Sequence, residues 1–128
     1  MLKELPATQV RGEPRRRWFV DEQFDLIVWL AGDHTVDGFQ LCYKLGHAEH
    51  ALTWNRSGGY SHDRIDDGES TPTRNRTPVL LADGPFPAAE ILSRFEPSCD
   101  QVEASIRSLV VEKIRDYAQG QSGSMPRR

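Results

Sequence analysis

A chain of 128 residues falls within the size of one domain, and 38% hydrophobic with 27% charged side chains supplies a single core rather than a disordered polymer. The longest apolar run, residues 26–31, is far below the roughly 20 residues that span a bilayer, so no membrane partner is expected. Net charge is −3 and uneven: residues 1–17 hold five bases against two acids, whereas residues 18–69 hold three bases against ten acids. Phosphate contacts need clustered Lys or Arg, so nucleic acid ranks last among partners, with only Arg15, Arg16 and Arg17 in its favour.

Residues 1–14 are polar with no sustained period and read as a flexible tail. They hold no apolar stretch and no small-residue cleavage site, so no secretory leader is expected. The two cysteines, Cys42 and Cys99, lie far apart and outside any C-x-x-C pair, which suits reduced thiols in a cytoplasmic protein.

From Arg15 to Tyr117 or so, residues 15–118, the pattern is that of one globular domain. Residues 17–20 (RWFV) are aromatic and β-branched, as a short strand requires. Residues 24–31 (FDLIVWLA) carry apolar side chains on both faces of an extended chain, the mark of a strand inside a sheet. In 36–44, Phe39, Leu41 and Tyr43 alternate with Gln40, Cys42 and Lys44, the period of a half-buried strand. Residues 48–54 follow as a strand, and Ser57-Gly58-Gly59 reads as a hairpin loop whose glycines permit positive φ. Residues 60–65 then return antiparallel. Residues 67–78 have loop composition and read as a mobile segment; 78–82 form one more short strand.

Two helices close the domain. Pro87 suits a first helical turn, and Ala88, Ile91, Leu92 and Phe95 form one apolar stripe that Pro97 ends. Ser98 and Gln101 fit a capping box for a second helix. Its stripe is Val102, Ile106, Leu109, Val110, Ile114 and Tyr117, with Gly120 as the stop and 119–128 as a disordered tail. Each helix has one face to bury, and the Phe39, Leu41, Tyr43 face needs a cover. The expected architecture is therefore α+β: an antiparallel meander of about four to six strands with two C-terminal helices packed on one face.

Arg16-Arg17-Trp18-Phe19, Asp25-Leu26-Ile27-Val28-Trp29 and Gly38-Phe39-Gln40-Leu41-Cys42-Tyr43, continued by Ala51-Leu52-Thr53-Trp54, His62, Asp66-Asp67-Gly68-Glu69 and Thr77-Pro78-Val79-Leu80, resemble a family of small uncharacterised bacterial proteins. The resemblance covers roughly residues 15–117 and implies a bacterial, cytoplasmic protein; it implies no chemistry.

With strands paired in order, Trp29, Gln40, Cys42 and Thr53 line the side away from the helices, and Trp18 or Phe19 extends it. A mixed aromatic and hydrogen-bonding face suits a peptide, a small molecule or a second copy. The preferred reading is thus a non-enzymatic binding module using Trp18, Trp29, Gln40, Cys42 and Thr53, without a cofactor. The alternative is a metal-assisted hydrolase or nuclease, in which His62, Asp66 and Glu69 hold a divalent metal that activates water. The His47 and His50 pair is a weaker metal candidate, because the region reads as turn and strand. Cys42, between Leu41 and Tyr43, reads as a structural thiol rather than a nucleophile.

Overall fold

The computed structural model describes residues 1–7, 9, 11–12, 15–33, 35–45, 48–66, 79–82 and 86–123, the side chains of 45, 65–66, 79–82 and 120–123 aside. Seven strands pair in sequence order, every neighbour antiparallel: β1 (Lys3–Leu5), β2 (Arg15–Val20), β3 (Phe24–Leu30), β4 (Val36–Leu45), β5 (Ala48–Asn55), β6 (Gly59–Asp66) and β7 (Val79–Ala82). Helix α1 (Ala88–Phe95), a 3₁₀ turn (Glu96–Cys99) and helix α2 (Ala104–Gly123) follow. This is the expected α+β meander with two late helices, wider by one strand.

Period-2 alternation decides which way the sheet faces. Phe24, Leu26, Val28 and Leu30 of β3 are buried while the residues between them are half-exposed. Across the register, Val28 meets Phe39 and Phe39 meets Trp54; Leu26 meets Leu41 and Leu41 meets Leu52. These side chains form one core with Ile91 and Phe95 of α1 and Ile106, Val110 and Ile114 of α2. Phe24 and Phe95 meet edge to face with ring centroids 5.6 Å apart, the geometry that aromatic quadrupoles favour. A register shift after Trp29 pairs Leu30 with Val36 and leaves Asp37 without an opposite residue. That bulge keeps both apolar side chains on the helix side of the sheet.

The first strand corrects the reading of residues 1–14 as a tail. Leu2 is fully buried, and its N–H donates to the Ser98 carbonyl at 2.8 Å. Arg17 grips Glu4 through Nε and Nη2, both at 2.8 Å, and reaches Glu103 through Nη1 at 2.7 Å. The bond from Arg17 holds the Glu4 carboxyl below its ordinary range despite some burial, and the same arginine lowers Glu103. β1 covers only residues 18–20 of β2. Beyond it the Gln9 amide satisfies the backbone of Arg16, accepting from its N–H and donating to its carbonyl, both at 3.0 Å. A side-chain amide thus completes an edge that a strand would otherwise pair.

The helix ends also differ from expectation. Pro87 sits at the N-cap, one position before the first helical residue. α1 does end ahead of Pro97, at Phe95, and Pro97 then enters the 3₁₀ turn, whose first positions need no N–H donor. Ser98 lies inside that turn, donating its hydroxyl to the Arg94 carbonyl at 3.0 Å, and α2 begins only at Ala104, too far on for Ser98 to cap it. α2 continues past Gly120 to Gly123, because one glycine weakens a helix without stopping it. The 67–78 loop and residues 124–128 lie outside the described residues.

Gly59 has φ +77° in the β5–β6 turn, the left-handed conformation expected there. Gly38 is required for a different reason. A Cβ at that position meets the Trp54 carbonyl oxygen at 2.7 Å and Asn55 Oδ1 at 2.9 Å. Backbone cannot retreat as a flexible side chain can, so Gly38→Ala is expected to lose about 1–3 kcal/mol, the usual range for overpacking. Urea unfolding checks this; a change below about 0.5 kcal/mol would show that β4 and β5 are not this close.

Candidate functional site: the sheet face away from the helices

The register places all five expected face residues on one side. Trp18 lies opposite Ile27, Ile27 opposite Gln40, and Gln40 opposite Thr53, a straight row across four strands. Trp29 lies one step along the strands in one direction, between Arg16 and Gly38. Cys42 lies one step in the other, between Asp25 and Ala51. Trp18, Ile27, Trp29, Gln40, Cys42 and Thr53 are each half-buried, and no described element packs over them. Phe19, the alternative to Trp18 as an extension of the face, is fully buried on the helix side.

The polar groups of this face hold one another. Trp18 Nε1 donates to Asp25 Oδ1 at 2.6 Å, and Gln40 Nε2 donates to Thr53 Oγ1 at 3.0 Å. The Cys42 thiol lies 3.9 Å from Gln40 Oε1. Burial, reinforced by the charges of Asp25 and Glu49, pushes that thiol up to about 12. That environment favours the protonated thiol at Cys42 and disfavours a nucleophilic role. Cys99 is likewise a free thiol pushed up to about 12, chiefly by burial.

Charge divides the face along the strands. Arg16 stands in the Trp29 row. Asp25 and Asp63 stand in the Cys42 row, with Lys44 and Glu49 one step beyond. An open basin of about 150 Å³ flanks it at the Cys42 end, lined by Asp21, Glu22, Asp25, Cys42, Lys44 and Glu49 among others. A larger basin of about 570 Å³ lies at the β1–β2 edge, where Glu4, Arg15 and Leu30 come from the helix side and Arg16 from the outer side.

The Arg15–Arg17 run does not form one patch. Successive strand residues point to opposite faces, so Arg16 shares the outer face with Trp29 while Arg15 and Arg17 point to the helix side. Arg17 is already committed to Glu4 and Glu103. Three consecutive arginines on a strand thus offer no converging phosphate site.

The metal candidates divide differently. His62 lies opposite Leu52 on the helix side and is buried. Its Nε2 and the Tyr43 hydroxyl share a hydrogen bond at 2.5 Å. Around it gather His50, Phe86 and Tyr117, with ring centroids 5.2–6.3 Å from that of His62. Asp66 ends β6 but its side chain is not described, and Glu69 and His47 lie outside the described residues. Among the described residues no three of His, Cys, Asp and Glu come together as a metal set.

The face also contains residues that the sequence did not single out as site candidates: Ile27, Arg16, Asp25 and Asp63. The alternation that placed Trp29 places Ile27 and Asp25 as well, and pairing order alone brings them beside Gln40 and Cys42. The Tyr43, His50, His62, Phe86 and Tyr117 cluster had no such signal, because it joins β4, β5 and β6 to the start of α1 and the end of α2.

No protein-family profile, no curated protein and no solved structure matches the chain. No helix among the described residues is long and apolar enough to cross a membrane.

Cys42 gives a direct check on this surface. At pH 7.5 its alkylation by iodoacetamide is expected to be at least about a hundredfold slower than that of a free cysteine, and to rise without a plateau beyond pH 9. A rate close to that of a small thiol, levelling near pH 9, would contradict the protonated environment.

Proposed function

We propose that this protein is a non-enzymatic binding module that takes a protein partner on the sheet face away from its helices. One observation carries the reading: Trp18, Ile27, Trp29, Gln40 and Thr53 form a contiguous half-buried surface over which no described element packs. Interface centres favour tryptophan, which offers large contact area with few rotatable bonds, and arginine, whose planar guanidinium carries several donors. Gln40 and Thr53 already bond to each other, so covering them leaves little polar desolvation uncompensated. The surface is broad rather than deeply concave, which suits a protein better than a small ligand. We place the protein in the cytoplasm on the same footing, since both cysteines are free thiols.

A photo-reactive residue at Thr53 tests the face in the expressing cell. A protein adduct is expected from Thr53 and none from the exposed Ser108 on α2, and Trp29→Glu is expected to remove the Thr53 adduct without unfolding the chain. Adducts from Ser108 alone, or a Thr53 adduct indifferent to Trp29→Glu in a folded chain, would overturn the assignment.

A further inference from the structure

We propose that the protein partner is a second copy of this chain, docked face to face about a two-fold axis that runs across the strands. The inference rests on the outer face being a binding surface and adds what occupies it. Its support is charge self-complementarity.

Consider the two limiting ways in which a face can meet its own copy. An axis parallel to the strands keeps position along the strand, so the acidic end of one copy meets the acidic end of the other. An axis perpendicular to the strands, lying along the Trp18, Ile27, Gln40, Thr53 row, reverses position along the strand. The Trp29 row then meets the Cys42 row of the second copy. Arg16 comes over the β2–β3 end of that row, where Asp25 stands beside Val20. Symmetry makes the contact twice, as an isologous interface requires. Opposite charges at mirrored ends select this axis and disfavour the other.

The residues on the axis suit it as well. A residue there meets its own symmetry mate, so it must be self-complementary. Ile27 is apolar, and Gln40 carries an amide with both a donor and an acceptor. Gly38, with no side chain, stands beside Trp29 and comes opposite Cys42 of the second copy, so β4 adds no bulk at that crossing. Nucleic acid fits this surface poorly, because Asp25, Glu49 and Asp63 repel phosphate at one end.

Sedimentation velocity on the full chain, with charge reversal, tests the arrangement. The unaltered chain is expected to dimerise with concentration. Arg16→Glu places acid over acid and Asp25→Lys places base over base, so each variant alone is expected to dimerise roughly tenfold or more weakly. Mixed in equal amounts, the two variants bring Glu to Lys at one symmetry-related contact and Arg to Asp at the other. The mixture is expected to dimerise about as well as the original chain, and misfolded variants cannot produce that rescue. A chain that stays monomeric at the highest concentration reached overturns self-docking, and a Thr53 adduct to a different protein would then leave the broader binding reading standing. Dimers that ignore both substitutions, or a mixture no better than its components, overturn the two-fold geometry.

Discussion

An apolar stripe covers one side of a sheet and no more. Each of the two helices carries one stripe, and both stripes are spent on the face formed by Phe24, Leu26, Val28, Phe39, Leu41, Leu52 and Trp54. Seven strands joined in sequence order leave that face continuous, so α1 and α2 bury it together. Among the described residues the reverse side receives no helix, and its half-buried tryptophans follow from that shortage of cover. What the protein offers a partner is thus a consequence of how its core is assembled.

The ties at the margins serve the same division. Arg17 joins β1, β2 and the start of α2 through Glu4 and Glu103. Tyr60 of β6 donates to Asp116 of α2 at 2.7 Å, and burial together with that acid raises its hydroxyl above the ordinary range. Lys113 of α2 lies 4.6 Å from the Trp54 ring centroid, a cation over an aromatic face. These contacts lock α2 across the sheet from β1 to β6. Exposed ion pairs each contribute less than about 1 kcal/mol, so the buried core sets stability and the ties set placement.

Much of this was legible in the sequence because alternation is a local property. Phe39, Leu41 and Tyr43 against Gln40, Cys42 and Lys44 announces which side of β4 is buried, and sequential pairing carries that choice to β3 and β5. The stripes of α1 and α2 were legible for the same reason. β1 was not, since three exposed residues carry no period and Leu2 joins the core only through partners distant in sequence. The capping box failed because α2 begins only at Ala104, behind Glu103, which leaves Ser98 too far upstream. At the site, Trp18 and Phe19 stood as alternatives because a shift of one residue reverses a strand's faces; only the pairing of Trp18 with Ile27 decides between them. The same alternation separates Arg16 from its two neighbours. His62 matched a metal pattern along one strand, yet its buried contact is with Tyr43 two strands away.

The central claim is that one side of the sheet is roofed and the other is left open by the described residues. Chains retaining a single tryptophan, Trp29 or Trp54, with the remaining tryptophans replaced by phenylalanine, allow each side to be probed by acrylamide quenching at dilution. Trp54, buried beneath Lys113, should be quenched weakly, and Trp29 several-fold more strongly. Equal protection of the two indoles in folded, monomeric protein would mean that the outer face is covered by the chain itself, and the account would fail.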